Sequence, residues 1–341
     1  IFALHPVQTE AVTYASGRST SLSALFALGS IAAWVDWRAR PGRPVRLLLA
    51  SLLLMLAGIA TKETVAIVPL ALLLWEAADV SRPFSWRGTV ARTGAHWLLL
   101  GCGAAAMLSL PAYRDFLASS LATRSVTDNL VAQIPGIRYL AGQLLNIDRM
   151  NADPALPAAS GLGTADALTM VVLVAGGGLA LTSVRRFPLP AFATLWFLLW
   201  LAPTNSLLAR LDLVNDRQLY VALAGPALLL AAAIRRLAAR QRAIAVTAFV
   251  LVLALTGLAT HLRNDVYRDE VTFWRDVVSR SPHNARAFNN LGIALADQCD
   301  LRRAEEAWVR ALQLDPGYVR VAVNLRLLRE GVLPEGVGPC D

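Results

Sequence analysis

Long apolar runs separated by short polar loops fill the first three quarters of the chain, and the last quarter switches to amphipathic helical spacing. A bilayer core takes about 17 to 25 apolar residues per helix, so the first part predicts about eight crossings. They fall near Ser19 to Trp37, Val45 to Thr61, Thr64 to Val80, Trp97 to Ala112, Ala167 to Val184, Pro188 to Pro203, Leu219 to Ile234 and Ala243 to Leu262. One set of loops, "RARPGRPVR", "SRPFSWRGTVAR", "VRR" and "RRLAARQR", carries arginine and no acid; the alternate set, including "TKET" and "ARLDLVNDRQ", mixes both signs. The positive-inside rule assigns the first set to the cytoplasm, leaving Ile1 and the C-terminal region outside. The expected fold class is therefore all-α.

The amphipathic part repeats. Trp274 and Trp308 are 34 residues apart, as are Pro282 and Pro316, which is the tetratricopeptide period. In the one full unit, Phe288, Leu291, Gly292, Leu295, Ala304, Trp308, Ala311 and Pro316 hold the large, small and turn positions that let two helices nest. A stable solenoid needs about three units, so this short stack is expected to lean on the membrane part or on a partner. The division is then a membrane domain over 1–262, a repeat region over 263–330 and a loose tail over 331–341.

Composition agrees with the pattern. Of 341 residues, 56% are hydrophobic and 16% charged, with a mean hydropathy of +0.49, too apolar for a soluble domain of this size. The net charge of +8 does not indicate nucleic acid, because the arginines sit in short inter-helix loops and not on one polar face with interleaved aromatics. The three cysteines fit no metal-ligand spacing: Cys102 lies in an apolar run, and Cys299 and Cys340 meet only if the tail folds back. No metal or cofactor is expected. The opening "IFAL" reads as the end of an apolar helix whose start lies upstream of Ile1.

Four outside segments carry more polar groups than turns require. "HPVQTEAVTYASGR" holds His5, Glu10 and Arg18; the "KE" hairpin holds Lys62, the only lysine, and Glu63; a third, amphipathic stretch holds Arg138, Asp148, Arg149 and Asp153. The fourth, "PTNSLLARLDLVNDRQLY", holds Asp216, Arg217 and Tyr220. Each has an ordinary reading by itself: Pro6 and Pro203 break helices, Tyr220 is an interfacial aromatic, Arg217 snorkels and Lys62 with Glu63 marks a turn. Taken together they offer an anionic, lipid-linked substrate a planar guanidinium and a compact ammonium. For Asp148 and Asp153, loop structure is the expected role, with acceptor or cation binding as the alternative.

These segments, with "TKETVAIVPLALLLWE", "NIDRMNADP" and the repeat "SPHNARAFNNLGIALADQ", occur in an order that resembles the transmembrane and tetratricopeptide-repeat O-mannosyltransferases and their bacterial relatives. The resemblance runs from Ile1 to about Leu328. It implies transfer of a sugar, mannose in that family, from a polyprenyl or dolichyl phosphate carrier to serine or threonine hydroxyls outside the cytoplasm, with the repeats gripping the acceptor protein or a partner. By position, His5, Glu10 and Arg18 match the family's "HP" loop, Lys62 and Glu63 its "KE" hairpin, and Asp216, Arg217 and Tyr220 its acid–arginine–tyrosine pattern. Two departures stand out: Asp216 replaces the more usual glutamate, and Thr61 replaces serine before "KE". The family's presumed catalytic aspartate would lie upstream of Ile1, so the resemblance implies that the chain as given is inactive alone. In this reading Arg217, with Lys62 or Arg18, stabilises the leaving phosphate, and Glu63 orients Lys62 or keeps it protonated. Composition points to a bacterial inner membrane with the repeats in the periplasm, or in the lumen of a eukaryotic cell. The competing reading is a non-catalytic membrane-anchored repeat scaffold; a lipid-sugar transporter fits less well, because no charged residues lie deep in the expected spans.

Overall fold

The computed structural model describes residues 1–147, 150–156, 163–205, 213–332 and 338, and among these there are helices and no strands. Two 3-10 turns, Phe2–Leu4 and Pro6–Gln8, lead into the short α1 (Thr9–Val12) and, after the turn Ala15–Gly17, into α2 (Arg18–Ala39). Then follow α3 (Val45–Thr61), the turn Glu63–Ile67, α4 (Val68–Ala78), α5 (Trp86–Ser109), α6 (Pro111–Thr123) and α7 (Val126–Gln143). Next come α8 (Thr164–Ser183), α9 (Pro188–Leu201), the turn Asp216–Gln218, α10 (Leu219–Ala222), α11 (Ala224–Ala238) and α12 (Arg242–Val266). The last four are α13 (Glu270–Arg280), α14 (Ala285–Asp297), α15 (Leu301–Leu314) and α16 (Val319–Arg329).

Small residues decide how closely the first helices pack. Ala24, Ala27 and Ser30 of α2 are buried toward its neighbours, and Ser30 Oγ donates to the Ser51 carbonyl of α3 at 2.8 Å. Ser51 Oγ in turn lies 2.8 Å from His96 Nε2 on α5, so three helices share one buried polar contact. Around it Trp34, Met55, Leu72, Leu140 and Leu219 form the main core. Outside that core, leucines such as Leu25, Leu53, Leu98 and Leu255 are exposed along the helices, the pattern of surfaces that meet lipid.

Length and composition by themselves admit fewer crossings than the expected eight among the described residues. Only α8 and α12 are long and apolar enough by themselves among the described residues, and the total rises to 4 if each of two bent pairs makes one span. Those pairs are α5 with α6, bent by 88°, and Asp216–Ala222 with α11, bent by 54°. Helix length explains much of the difference. The expected Thr64 to Val80 span is shortened to the 11 residues of α4 by the preceding turn, giving about 17 Å where a bilayer core needs about 30 Å. α3 and α9 have 17 and 14 residues, while α2 is long enough but diluted by serine, threonine and charge.

Among the last four helices, three starts are fixed by side-chain caps: Asp269, Asn284 and Asp300 accept from backbone N–H groups of α13, α14 and α15. Gly292 is required by close approach, since a Cβ there would stand 2.4 Å from Trp308 Nε1. Trp308 is fully buried and donates to the Asn289 carbonyl at 3.1 Å. Leu291, Leu295, Ala304 and Ala311 are buried beside it, Phe288 is half-buried, and Pro316 is exposed in the turn before α16.

This stack leans on the preceding helices. Tyr14 stacks on Phe273 with ring centroids 5.0 Å apart, and Asn151 Nδ2 donates to Ser281 Oγ at 2.7 Å. Asp153 receives a two-point bond from Arg286, so its carboxylate serves as a docking clamp. Cys102 is free and Cys299 is disulfide-bonded; Cys340 lies outside the described residues, as does most of the tail.

Candidate functional site

α3 ends at Thr61, and Lys62 adopts extended backbone before the chain turns into α4. This directs the Lys62 side chain across to the first turn of α2, where Nζ donates to Thr20 Oγ1 at 2.7 Å. Beside it lies a cavity of about 580 Å³ whose wall includes Lys62, Arg217 and Tyr220. Hydroxyls of Ser19, Thr20, Ser23, Thr64, Ser119, Ser120 and Thr204 and the amides of Asn215 and Gln218 supply hydrogen-bonding groups, while Val65, Phe116, Trp200 and Val221 supply an apolar side. No carboxylate lines this cavity among the described residues. The bend between α5 and α6 matters here, because it swings Phe116, Ser119 and Ser120 onto the wall.

Behind the wall a buried charge cluster fixes Arg217. Glu10 Oε2 accepts from the Arg217 backbone N–H at 3.0 Å, and its Oε1 lies 3.6 Å from Arg217 Nε. Gly17 permits this packing, since a Cβ there would stand 2.1 Å from the Glu10 carbonyl oxygen. Burial pushes the Glu10 carboxyl above its ordinary range, and the Arg217 charge, the Arg217 N–H and Arg263 pull it back in part. Asp216, almost fully buried, lies 4.0 Å from Arg263 Nη2. Amide groups hold the other flank: Asn205 Nδ2 donates to Gln133 Oε1 at 2.8 Å and to Gln218 Oε1 at 3.2 Å.

The structure thus brings Lys62, Arg217 and Tyr220 together and distributes the other predicted residues around them. Glu10 and Asp216 sit behind Arg217. His5 caps the Pro6–Gln8 turn, accepting from Val7 N–H at Nδ1, with Nε2 3.2 Å from the Leu144 carbonyl. Burial lowers its pKa, so it is a neutral joint between the first segment and the end of α7. Arg18 and Glu63 are exposed and do not line the cavity, and Arg138 pairs with Asp166 at 3.2 Å. Asp148 and Arg149 lie outside the described residues.

Sequence reasoning missed most of the hydroxyl wall, because single serines and threonines near helix ends carry no pattern of their own. It also missed Arg263, although an arginine at the foot of an apolar helix is a readable signal. Chemically, two cations beside hydroxyls and an apolar side suit a phosphorylated or otherwise anionic group attached to a hydrocarbon. Among the described residues there is no cluster of His, Cys, Asp and Glu suited to a metal ion.

Comparison with known proteins gives one distant similarity. The chain is 30% identical over 105 residues to the Protein O-mannosyl-transferase F38B6.6 of Caenorhabditis elegans. That stretch covers 31% of this chain and 15% of the relative, so the chain matches only a small part of that protein's length. No family model and no solved structure matches. The chain is thus an all-helical protein with apolar, membrane-type helices and a distant likeness to a protein O-mannosyltransferase.

Proposed function

We propose that this chain belongs to a membrane glycosyltransferase that moves a sugar, mannose by its resemblance, from a polyprenyl or dolichyl phosphate to serine or threonine hydroxyls. The observation that carries the reading is the convergence of Lys62 and Arg217 on one cavity with both a hydroxyl wall and an apolar side. The distant similarity to a protein O-mannosyltransferase supports it independently. In this reading the acceptor oxygen attacks the anomeric carbon, the carbon–oxygen bond to phosphate breaks, and the bonding pair leaves with the lipid phosphate. Lys62 and Arg217 stabilise the charge that grows on that phosphate. The hydroxyls of Thr20, Ser23 and Ser120 contact the sugar, and Phe116 and Trp200 border the first carbons of the lipid. The base that takes the acceptor proton is not among the described lining residues. The membrane part has about eight crossings when its shorter helices are counted, and the cavity and repeats face the periplasm or lumen. The repeats hold the acceptor.

The test places the full gene product in liposomes with radiolabelled polyprenyl-phosphate mannose and a serine/threonine-rich peptide. Peptide labelling that disappears in Lys62→Ala and Arg217→Ala at unchanged folding is the expected result. Absence of labelling by the wild type with several lipid-linked sugars and acceptors would favour the anchored scaffold.

A further inference from the structure

The charge cluster behind Arg217 does not end in the membrane part. Arg263, at the foot of α12, is buried between two carboxylates that belong to different parts of the chain. On one side Nη1 donates to Asp276 Oδ2 of α13 at 2.8 Å, and Asp276 Oδ1 also accepts from Arg280 Nε at 2.9 Å. On the other side Nη2 stands 4.0 Å from Asp216 Oδ2, within ion-pair range but too far for a hydrogen bond. The Arg263 guanidinium lies 5.3 Å from the Tyr267 ring centroid. Arg263 Nε and Nη2 and Asp216 Oδ1 are buried and have no hydrogen-bond partner among the described protein groups, so the guanidinium keeps donors with which it can close on Asp216.

We propose that Arg263 is a positioning residue that couples the docking of α13 to the placement of Arg217 in the cavity. The path is short and physical. Asp276 anchors the guanidinium, the guanidinium faces Asp216, and Asp216 is the chain neighbour of Arg217, whose N–H is held by Glu10. Moving or neutralising Asp276 leaves Arg263 free to close on Asp216, which shifts the turn Asp216–Gln218 and with it the cavity cation. The repeat region is by this account part of the cavity's support. Its consequence for sugar transfer rests on the function proposed above, whereas the mechanical coupling does not.

The same region supplies an internal control, because Arg286 docks the repeat on Asp153 without touching Arg263. Hydrogen exchange of the segment 215–222 is measured in the full gene product in detergent. The variants are Arg263→Leu, Asp276→Asn, Arg286→Ala and the conservative pair Arg263→Lys and Asp276→Glu. The expected result is about tenfold faster exchange in 215–222 for Arg263→Leu and Asp276→Asn, and a change under about twofold for Arg286→Ala and the conservative pair, by the scale of coupling between sites. Unchanged exchange in Asp276→Asn, or an equal rise in Arg286→Ala, overturns the coupling. If Arg263→Leu does not fold, Asp276→Asn and Asp276→Glu decide the matter, since Asp276 is partly exposed. Binding of farnesyl phosphate to the same variants is the second readout. Weakening about tenfold in Asp276→Asn alone supports the link to the cavity. Equal binding in all variants overturns it. A wild type that does not bind farnesyl phosphate counts against the proposed function and leaves the exchange result to decide the coupling.

Discussion

Two buried clusters of arginine and carboxylate stand at opposite ends of α2, and they are built to opposite ends. Between Thr20, which meets Lys62, and Arg38 the helix rises about 27 Å. At the Arg38 end the charges satisfy one another. Arg38 Nε bonds Glu76 Oε1 at 2.6 Å, its Nη1 bonds Asp79 Oδ2 at 2.6 Å, and Arg92 grips the same Glu76 at 2.8 and 2.5 Å. This clamp ties α2, α4 and α5 together. At the Thr20 end the carboxylates of Glu10 and Asp216 stand behind Arg217, and Lys62 and Arg217 both line the cavity. The Arg38 cluster fixes helices away from the cavity, while the Thr20 end places two cations on the cavity wall. Position relative to the cavity separates the two roles where composition does not.

The largest effect that would break this contrast is at the closed end. Glu76→Gln leaves the shape but removes the charge that one buried guanidinium, Arg38, and one part-buried guanidinium, Arg92, share, and breaking a buried pair costs about 3–5 kcal/mol. Retention of one bond from Arg38 to Asp79 places the expected loss at about 3 kcal/mol, read by denaturant unfolding in detergent. The cavity should be unaffected per folded molecule, so farnesyl phosphate affinity stays within about twofold of wild type. A loss of affinity comparable to the loss of stability would erase the distinction between the two clusters.

The reverse signature is expected at the open end. Arg217→Ala should lower peptide labelling by about 10² to 10³-fold, the scale for removal of one electrostatic stabiliser at a developing anion. Lys62→Ala should act in the same direction, with melting temperatures near wild type because both side chains are only part-buried. Arg217→Lys should recover part of the rate, because an ammonium keeps the charge and loses the planar fork. A variant that unfolds instead of losing rate would show that the open cluster is as structural as the closed one.

How much of this was legible beforehand depends on the range of the interaction. Helix class was readable from periodicity, and so was the close approach of Trp308 to Gly292. Lys62 and Arg217 were readable as polar groups that turns do not require. Where the helices break within the apolar runs was not: the turn Glu63–Ile67 occupies the start of one run, and another bends by 88° before α6. Glu63 shows the limit of adjacency: it neighbours Lys62 in sequence, yet it is exposed and off the cavity wall. Arg263 and Asp276 became visible only when α12 and α13 were brought together, since nothing in local sequence relates either to Arg217.

The smallest expected effect tests the charge behind the open cluster through pH. Burial raises the Glu10 carboxyl above its ordinary value of 4.5, so the folded chain holds that proton more tightly than the unfolded chain does. The folded state therefore gains stability from Glu10 fully below that ordinary value, and the gain fades as pH rises through the raised folded value. Glu10→Gln removes the titration but keeps an oxygen that can accept the Arg217 N–H. The variant should show a flatter dependence of melting temperature on pH than wild type as pH rises from 4.5 to neutrality, read from paired thermal melts. Parallel wild-type and variant curves would mean that the carboxyl does not titrate in this window. In that case Glu10 is a bonded strut like Glu76, and the contrast between the clusters rests on Lys62 and Arg217 alone.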